Sequence, residues 1–150
     1  MRHSMKTILA ISGRGLNFAN YVKTLQNDDR IYTIESQLQV DEILDQLRDS
    51  KVHLVAGLGG TRGTGLIADV TAKLKQHEID FTVYATLPFS FEGKKRGESA
   101  KKMVDHLLQN GFKVLTEDNN TILTNGIAAP DSFKTAFFDI DKKLYETMEA

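Results

Sequence analysis

The sequence has 150 residues, of which 41% are apolar and 26% charged, with 19 basic and 20 acidic side chains and a net charge of −1. This length and apolar share fit one domain with a hydrophobic core over residues 1–150, and the balanced charge gives no overall field for nucleic acid or an anionic membrane. The absence of cysteine excludes disulfides, thiolate nucleophiles and Cys-type zinc sites, and it suits the cytoplasm.

The first half of the chain alternates between short apolar runs and segments of helical periodicity. A tail, residues 1–5, lacks the hydrophobic stretch of a signal peptide and is expected to be flexible. Apolar runs at 7–12, 30–35 and 51–58 predict three strands, with Gly13-Arg14-Gly15 as a turn after the first. Two amphipathic helices are predicted between the strands from the apolar residues Leu16, Ala19, Val22 and Leu25, and Val40, Ile43, Leu44 and Leu47.

The second half continues the alternation. Strands are predicted at 80–86 and 113–116, the first ended by Pro88. Asn125-Gly126 predicts a turn, and Asp131 or Ser132 is a candidate cap for a last helix. Three helical stripes are predicted to face the core: Leu66, Ile67, Val70 and Leu74; Ala100, Met103, Val104, Leu107 and Leu108; and Phe133, Ala136, Phe137, Ile140 and Leu144.

This alternation predicts an α/β fold, a three-layer Rossmann-like sandwich. Its mostly parallel sheet has about five strands, and helices cover both faces. In such sheets ligands bind at the carboxyl ends of the strands, near the point where the strand order reverses.

The stretch from Gly57 to Gly65 is the strongest candidate for a ligand site. It holds five glycines in nine residues between a predicted strand and a predicted helix. Such a loop can bind phosphate through backbone N–H groups and the helix N-terminus. It lacks the Gly-Lys-Ser/Thr of a P-loop and the Gly-x-Gly-x-x-Gly order of a dinucleotide site.

Two segments resemble the FtsZ/tubulin family. Gly59 to Gly65 is similar to the signature Gly-Gly-Gly-Thr-Gly-Thr-Gly, with substitutions at Thr61 and Arg62. The segment from Thr86 to Arg96 resembles Thr-Lys-Pro-Phe-x-Phe-Glu-Gly-Lys-Lys-Arg of bacterial FtsZ and differs at one fixed position, Leu87. The resemblance covers most of the chain and implies a shortened FtsZ nucleotide-binding domain without a C-terminal domain.

The resemblance implies a site for GTP or GDP, with Mg²⁺ accompanying GTP. Its phosphate loops would contribute Gly13, Arg14, Asn17, Gly60, Thr61, Arg62, Gly63 and Thr64. Glu92 would bind the ribose hydroxyls, Arg96 the ribose–phosphate region, and Thr86 lies beside them. Asn119 would lie near the nucleoside, and Phe137 and Asp141 would stack on the base and recognise guanine.

The last two roles agree with the chemistry of guanine. A carboxylate only accepts hydrogen bonds, so Asp141 can accept from both N1–H and N2–H₂ and reject adenine. Phe137 lies one helical turn earlier, on the same face. The alternatives are that Phe137 is a core residue, that Asp141 is a solvated partner of Lys143 or Lys134, and that Glu92 with Lys94, Lys95 and Arg96 forms a charged surface loop.

Three departures from the family pattern bear on activity. Arg14 and Arg62 either pair with phosphate or occupy its place, and retained binding is favoured. Residues 36–51 hold one helix and nothing like the loop that senses the γ-phosphate. The sequence ends at Ala150 without the loop that carries the family's catalytic acid, so we expect no catalytic residue and slow or absent hydrolysis unless these residues are part of a longer protein.

The leading hypothesis is therefore a guanine-nucleotide-binding protein related to bacterial cell division. The alternative is a nucleotide-free module that caps or modulates FtsZ or tubulin-like filaments, with full-length FtsZ or a second copy as partner. The four histidines, at 3, 53, 77 and 106, show no metal-ligand spacing, and no metal site is expected.

Overall fold

The computed structural model describes residues 6–25, 28–48, 50–118 and 133–149. In these ranges the strands are β1 Thr7–Ile11, β2 Arg30–Ile34, β3 Val52–Gly57, β4 Phe81–Leu87 and β5 Val114–Asp118. The helices are α1 Ser12–Thr24, α2 Leu38–Leu47, α3 Thr61–Gln76, α4 Lys94–Gln109 and α5 Phe133–Glu149, with a short 3₁₀ helix at Ser90–Glu92. None of the helices described is long and apolar enough to cross a membrane.

The five strands form one parallel sheet in the order β2-β1-β3-β4-β5. The chain builds outward from β1 to β2, then crosses back and continues through β3 to β5. The strand order therefore reverses between β1 and β3, which are paired from Thr7 with Val52 to Ile11 with Ala56. The carboxyl ends of these two strands open on the crevice where doubly wound sheets bind ligands.

Two apolar clusters cover the two faces of the sheet. One joins alternate strand residues such as Leu54 and Val83 to α2, α3 and α4. The other joins Ile8, Val55 and Tyr84 to α1 and α5. Because successive strand residues point to opposite faces, β1 and β3 bury residues on both faces, and the predicted three-layer α/β sandwich is confirmed.

The apolar stripes of α2 and α3 pack on the sheet as predicted, whereas three leucines do not. Leu16, Leu25 and Leu108 are exposed by 42%, 36% and 52%. On α1 the buried face is formed instead by Phe18, with Ala19 and Val22. Leu16 was wrongly predicted to face the core. The first buried large side chain of this helix is Phe18, two residues later.

Three helices begin earlier than the glycine and charge patterns indicated. Gly13-Arg14-Gly15 was predicted as a turn, but α1 starts at Ser12 directly after β1. Residues 61–65 of the glycine-rich stretch are helical and form the first turns of α3. Residues 94–96 are the first turn of α4, so they are not a surface loop. The turn at 125–126 and the cap at 131 or 132 lie outside the described residues.

Candidate functional site

The candidate site is built where β1 turns into α1 and β3 turns into α3. These strands are neighbours and parallel, so both helices start at the same edge of the sheet. Neither helix has an acidic residue in its first turn, and no side chain caps its N-terminus with a hydrogen bond. Two positive helix ends therefore face the same crevice, an arrangement that favours an anion.

Gly15 allows α1 to lie against the sheet at this edge. A Cβ atom at this position would lie 2.7 Å from the carbonyl carbon of Ala10 and 3.1 Å from the carbonyl oxygen of Val55. Both neighbours are backbone of β1 and β3, so neither can move aside cheaply. The missing side chain of Gly15 thus sets the distance between α1 and the two central strands.

The β3–α3 corner is held by hydrogen bonds within the chain. The amide of Gly59 donates to Thr64 Oγ1 at 3.0 Å, and the amide of Thr64 donates to the carbonyl of Gly60 at 3.2 Å. The amide of Leu58 donates to the carbonyl of Thr86 at 2.9 Å, which joins the corner to the end of β4. The hydroxyl of Thr64 therefore stabilises the loop from inside.

Gly59 joins the two segments that carry the resemblance. Its φ is +105°, a conformation that favours glycine. A Cβ there would lie 3.0 Å from the carbonyl oxygen of Arg96 and 3.1 Å from the ring of Pro88. The glycine-rich stretch and the segment 86–96 thus pack directly on each other, as a shared site requires.

Gly60 is different because it has space in front of it. Its backbone is in the ordinary extended region, with φ −80° and ψ 152°. A Cβ at Gly60 would meet nothing within 4 Å. The lack of a side chain at residue 60 is therefore not required by packing or conformation, and it leaves the backbone at the start of α3 uncovered at this position.

Glu92 and Arg96 form a small polar cluster beside this corner. One oxygen of Glu92 accepts the amide of Phe89 at 2.7 Å, and the other lies 3.3 Å from the guanidinium of Arg96. The side chains of Glu92 and Arg96 are exposed by 27% and 56%, respectively. Thr86 is buried at the end of β4. Both partners of the ion pair thus remain accessible to a ligand, although Glu92 already caps the 3₁₀ helix.

Asp141 lies on α5 against α1, in the apolar layer. It is 3% exposed, so its interpretation as a solvated partner of Lys143 is wrong. Lys143 pairs instead with Glu117 at 3.0 Å. Burial first, and then the charges of Glu146 and Asp141, raise the pKa of the Tyr21 hydroxyl.

The candidate site residues fall into three groups. Gly60, Thr64, Thr86, Glu92 and Arg96 lie together around the β3–α3 corner and the end of β4. Asn17 is exposed on α1, one turn before Tyr21. The charge of Asp141 contributes to the raised pKa of the Tyr21 hydroxyl. The remaining predictions fall where side chains or whole residues are outside the description: Gly13, Arg14, Thr61, Arg62 and Gly63 in the first turns of α1 and α3, Phe137 in α5, and Asn119.

Sequence reasoning missed Gly15, Gly59 and Tyr21. The two glycines were counted as part of glycine-rich motifs and not as positions where the backbone approaches its neighbours closely. The sequence does carry one signal for close packing of α1 on the sheet. Gly15 comes four residues after the buried strand residue Ile11 and is followed by the aromatic Phe18. Nothing in the sequence alone links Tyr21 to Asp141, since they lie on different helices.

Comparisons with known proteins agree with this geometry. The family model described as Tubulin/FtsZ family, GTPase domain, matches residues 3–126. Over 112 residues the chain is 33% identical to the cell division protein FtsZ 2 of Rhizobium meliloti, covering 73% of this chain and 32% of the relative. Over 108 residues it is 34% identical to the cell division protein FtsZ of Aquifex aeolicus, covering 70% and 29%.

Solved structures show the same fold. An empty FtsZ dimer from M. jannaschii aligns with a TM-score of 0.71 at 20% identity, covering 99% of this chain and 54% of that one. TubZ from the Clostridium botulinum phage c-st aligns with a TM-score of 0.71 at 12% identity, covering 99% and 60%. The chain thus spans about a third of the length of these curated relatives and just over half of these structures.

Proposed function

Since the chain belongs to the Tubulin/FtsZ family and matches its GTPase domain, we propose that it binds a guanine nucleotide, GTP or GDP. The site is the carboxyl edge of the sheet, at the β1–α1 and β3–α3 corners. We propose a cytoplasmic role related to cell division, the process named in the descriptions of the relatives. The 150 residues bind nucleotide without hydrolysing it efficiently by themselves.

The observation that carries this proposal is the open N-terminus of α3 at Gly60. A Cβ atom there would be compatible with the backbone and would meet nothing within 4 Å. The neighbouring N-terminus of α1 is equally free of acids and caps. Phosphate accepts hydrogen bonds from the first N–H groups of a helix, and the positive helix ends favour its charge.

The other candidate residues supply roles around the phosphates. Glu92 and Arg96 are near enough to each other for a ribose to bind at both, and Thr86 closes the site from β4. Buried Asp141 suits the donor edge of guanine, with Phe137, Asn17 and Asn119 as further contacts to the base. Mg²⁺ would arrive with the phosphates of GTP, because Mg²⁺ is commonly bound through substrate phosphates and few protein ligands.

Slow hydrolysis is supported by the connection between β2 and β3. In FtsZ, which the sequence resembles, this connection carries the loop that senses the γ-phosphate. In this chain α2 occupies most of the connection. Measuring phosphate release from GTP tests this part separately from binding. Turnover comparable with that of a polymerising GTPase would contradict it, and nucleotide binding would remain.

Titration with fluorescent GDP and GTP tests the binding, together with heat release and chromatography of any nucleotide carried by the purified protein. Gly60→Val places a branched side chain at the N-cap of α3 and is expected to lower affinity at least about a hundredfold, while the free energy of unfolding falls by only about 1 kcal/mol because valine is a poorer N-cap residue than glycine. Gly65→Ala, an exposed position where a Cβ also meets nothing, is the matched control and should bind like the wild type. Folded wild-type protein that binds neither nucleotide at high micromolar concentration would overturn the proposal.

A second function is supported by the internal bonds of Thr64 and Glu92. Both side chains already have partners in the absence of a ligand, at Gly59 and Phe89. A nucleotide-free module that caps or modulates FtsZ filaments would need these bonds and no phosphate. Sedimentation of full-length FtsZ with and without this protein tests this function, and unchanged polymer mass and length would exclude it.

A further inference from the structure

Two helices on the same face of the sheet carry opposite charge. Helix α2 holds three acidic residues and no lysine or arginine, a net charge of −3. Helix α4 holds five basic and two acidic residues, a net charge of +3. Helix α3 lies between them, in contact with α4 and linked to α2 by the ion pair of Lys73 with Asp41 at 2.7 Å. The two charged helices therefore occupy opposite sides of one layer.

The basic side has a groove, which we call the α3–α4 groove. It consists of two cavities of about 570 Å³ and 430 Å³ that share His106. Lys95 and Lys102 line the first cavity, and Lys75 lines the second. Met103 in the first cavity, with Ala68 and Phe112 in the second, gives the groove an apolar floor. Within the described part of the chain, the side chains of Lys95 and Lys102 have no hydrogen bond or ion pair.

The acidic side presents a helix that matches this groove. Leu38, Glu42 and Asp45 follow the i, i+4, i+7 spacing of one helical face. Leu38 is 66% exposed and the side chain of Asp45 is 97% exposed. An apolar residue flanked by carboxylates suits a groove with an apolar floor and ammonium groups at its rim.

We propose that α2 of one copy of this chain docks in the α3–α4 groove of a neighbouring copy. The acidic helix and the basic groove lie on one chain, and helices α2 and α4 carry equal and opposite charge, so every copy offers both halves of the contact. The contact is heterologous, because different surfaces meet. Repetition of a heterologous contact produces a closed ring or an open row, depending on the rotation between neighbouring copies. The groove borders the nucleotide site at Thr64, but none of the residues changed in the tests below belongs to that site.

Sedimentation velocity of nucleotide-stripped protein at 0.1 M and 1 M NaCl tests this association. The screening length falls from about 10 Å to about 3 Å between these salt concentrations, so oligomers at low salt should dissociate at high salt. K95E/K102E and E42K/D45K should each weaken association at least about tenfold, because like charges would meet in the interface. Reversing two exposed lysines on the other layer, K23E/K142E, is the matched control and should leave association unchanged.

Charge exchange then identifies the two surfaces as partners. An equimolar mixture of K95E/K102E and E42K/D45K should associate again, since each variant restores opposite charges across the contact. The chain that carries all four substitutions should also associate with itself. A wild type that is monomeric at 0.1 M NaCl, or a mixture that stays monomeric although both variants give wild-type circular dichroism, would overturn the proposal and point to a different acidic partner or none.

Discussion

The amino end and the carboxyl end of the parallel sheet differ in how their polar groups are bonded. At the amino end, Lys6 is 5% exposed and its ammonium group lies 3.3 Å from Glu149 and 4.6 Å above the ring of Tyr145. The hydroxyl of Tyr145 donates to Asp29, which also accepts the amide of Lys6 at 2.9 Å. This network ties the starts of β1 and β2 to the last turns of α5.

At the carboxyl end, two helix N-termini have no capping side chain, and Gly60 leaves open space. Buried polar groups that are satisfied inside the chain stabilise it, whereas groups left open are available to a ligand. The amino end of the sheet therefore serves stability, and the carboxyl end serves recognition. Substitutions at the two ends should separate these two properties.

The largest expected effect is at the amino end. Lys6→Ala removes a buried stem and leaves Glu149 and Tyr145 without the ammonium group, so we expect a loss of about 3 kcal/mol in the free energy of unfolding. Urea denaturation measures it, and nucleotide affinity should be unchanged. Lys142→Ala, an exposed lysine on the same helix layer, should cost less than about 0.5 kcal/mol. Loss of nucleotide affinity in a stable Lys6→Ala protein would break the division between the two ends.

At the carboxyl end, Gly15→Ala should affect both properties. The added methyl group overlaps the backbone of Ala10 and Val55, and overpacking of this kind costs about 2 kcal/mol. Because α1 must move away from the sheet, its N-terminus also moves, and we expect nucleotide affinity to fall about tenfold or more. Urea denaturation and fluorescent GDP titration measure the two effects. A Gly15→Ala protein with unchanged stability and affinity would show that α1 is not held this closely.

The strands and helices of this fold were predictable because the patterns that specify them are local. Buried strands such as β1 are short apolar runs, and α2 and α3 keep their apolar spacing. Two wrong assignments, Leu16 and the turn at residues 13–15, arose where β1 passes into α1 without a loop, whereas Leu25 and Leu108 lie at or near the last turns of their helices. A glycine pattern alone does not distinguish a turn from a helix that must approach a sheet closely, as at Gly15.

The glycine-rich stretch from Gly57 to Gly65 indicated a phosphate loop by itself, whereas the other candidate residues came from the resemblance to a family, and this resemblance is confirmed by the family match. Contacts across elements were not predictable. The packing of Gly59 on Arg96 and the burial of Asp141 beside α1 depend on how distant segments meet. For the same reason the amino-end network went unnoticed, because Lys6 and Tyr145 are 139 residues apart.

Substitutions at Glu92 are expected to change stability less, and they separate its structural role from a role in binding. Glu92→Ala removes the acceptor of the Phe89 amide and should cost about 1 kcal/mol of stability. Glu92→Gln keeps an acceptor oxygen and loses only the exposed pair with Arg96, so its stability should be nearly that of the wild type. If Glu92 also binds a ribose, the Gln variant should still lose affinity for GDP several-fold. Unchanged GDP affinity in Glu92→Gln would restrict this carboxylate to its structural role.

The smallest effect concerns pH and His53 of β3, whose Nδ1 lies 3.1 Å from the hydroxyl of Tyr84. Burial first, and then the charges of Lys51 and Lys6, lower the pKa of His53 to about 4. The imidazole is therefore neutral in the folded protein at pH values where the unfolded chain, with a pKa of about 6.5, binds a proton. Stability should rise with pH between about 4 and 6.5, since the unfolded state binds more protons there.

His53→Gln removes this titration and keeps a polar group for Tyr84. Carboxylates also titrate in acid, so the measured quantity is the difference between the two proteins in melting temperature from pH 4.5 to pH 7. We expect the wild type to lose more of its melting temperature on acidification than the variant does. Parallel curves would show that His53 binds protons equally in both states. Nucleotide affinity at neutral pH should be equal in the two proteins, because His53 lies toward the amino end of β3, away from the corners that face the ligand.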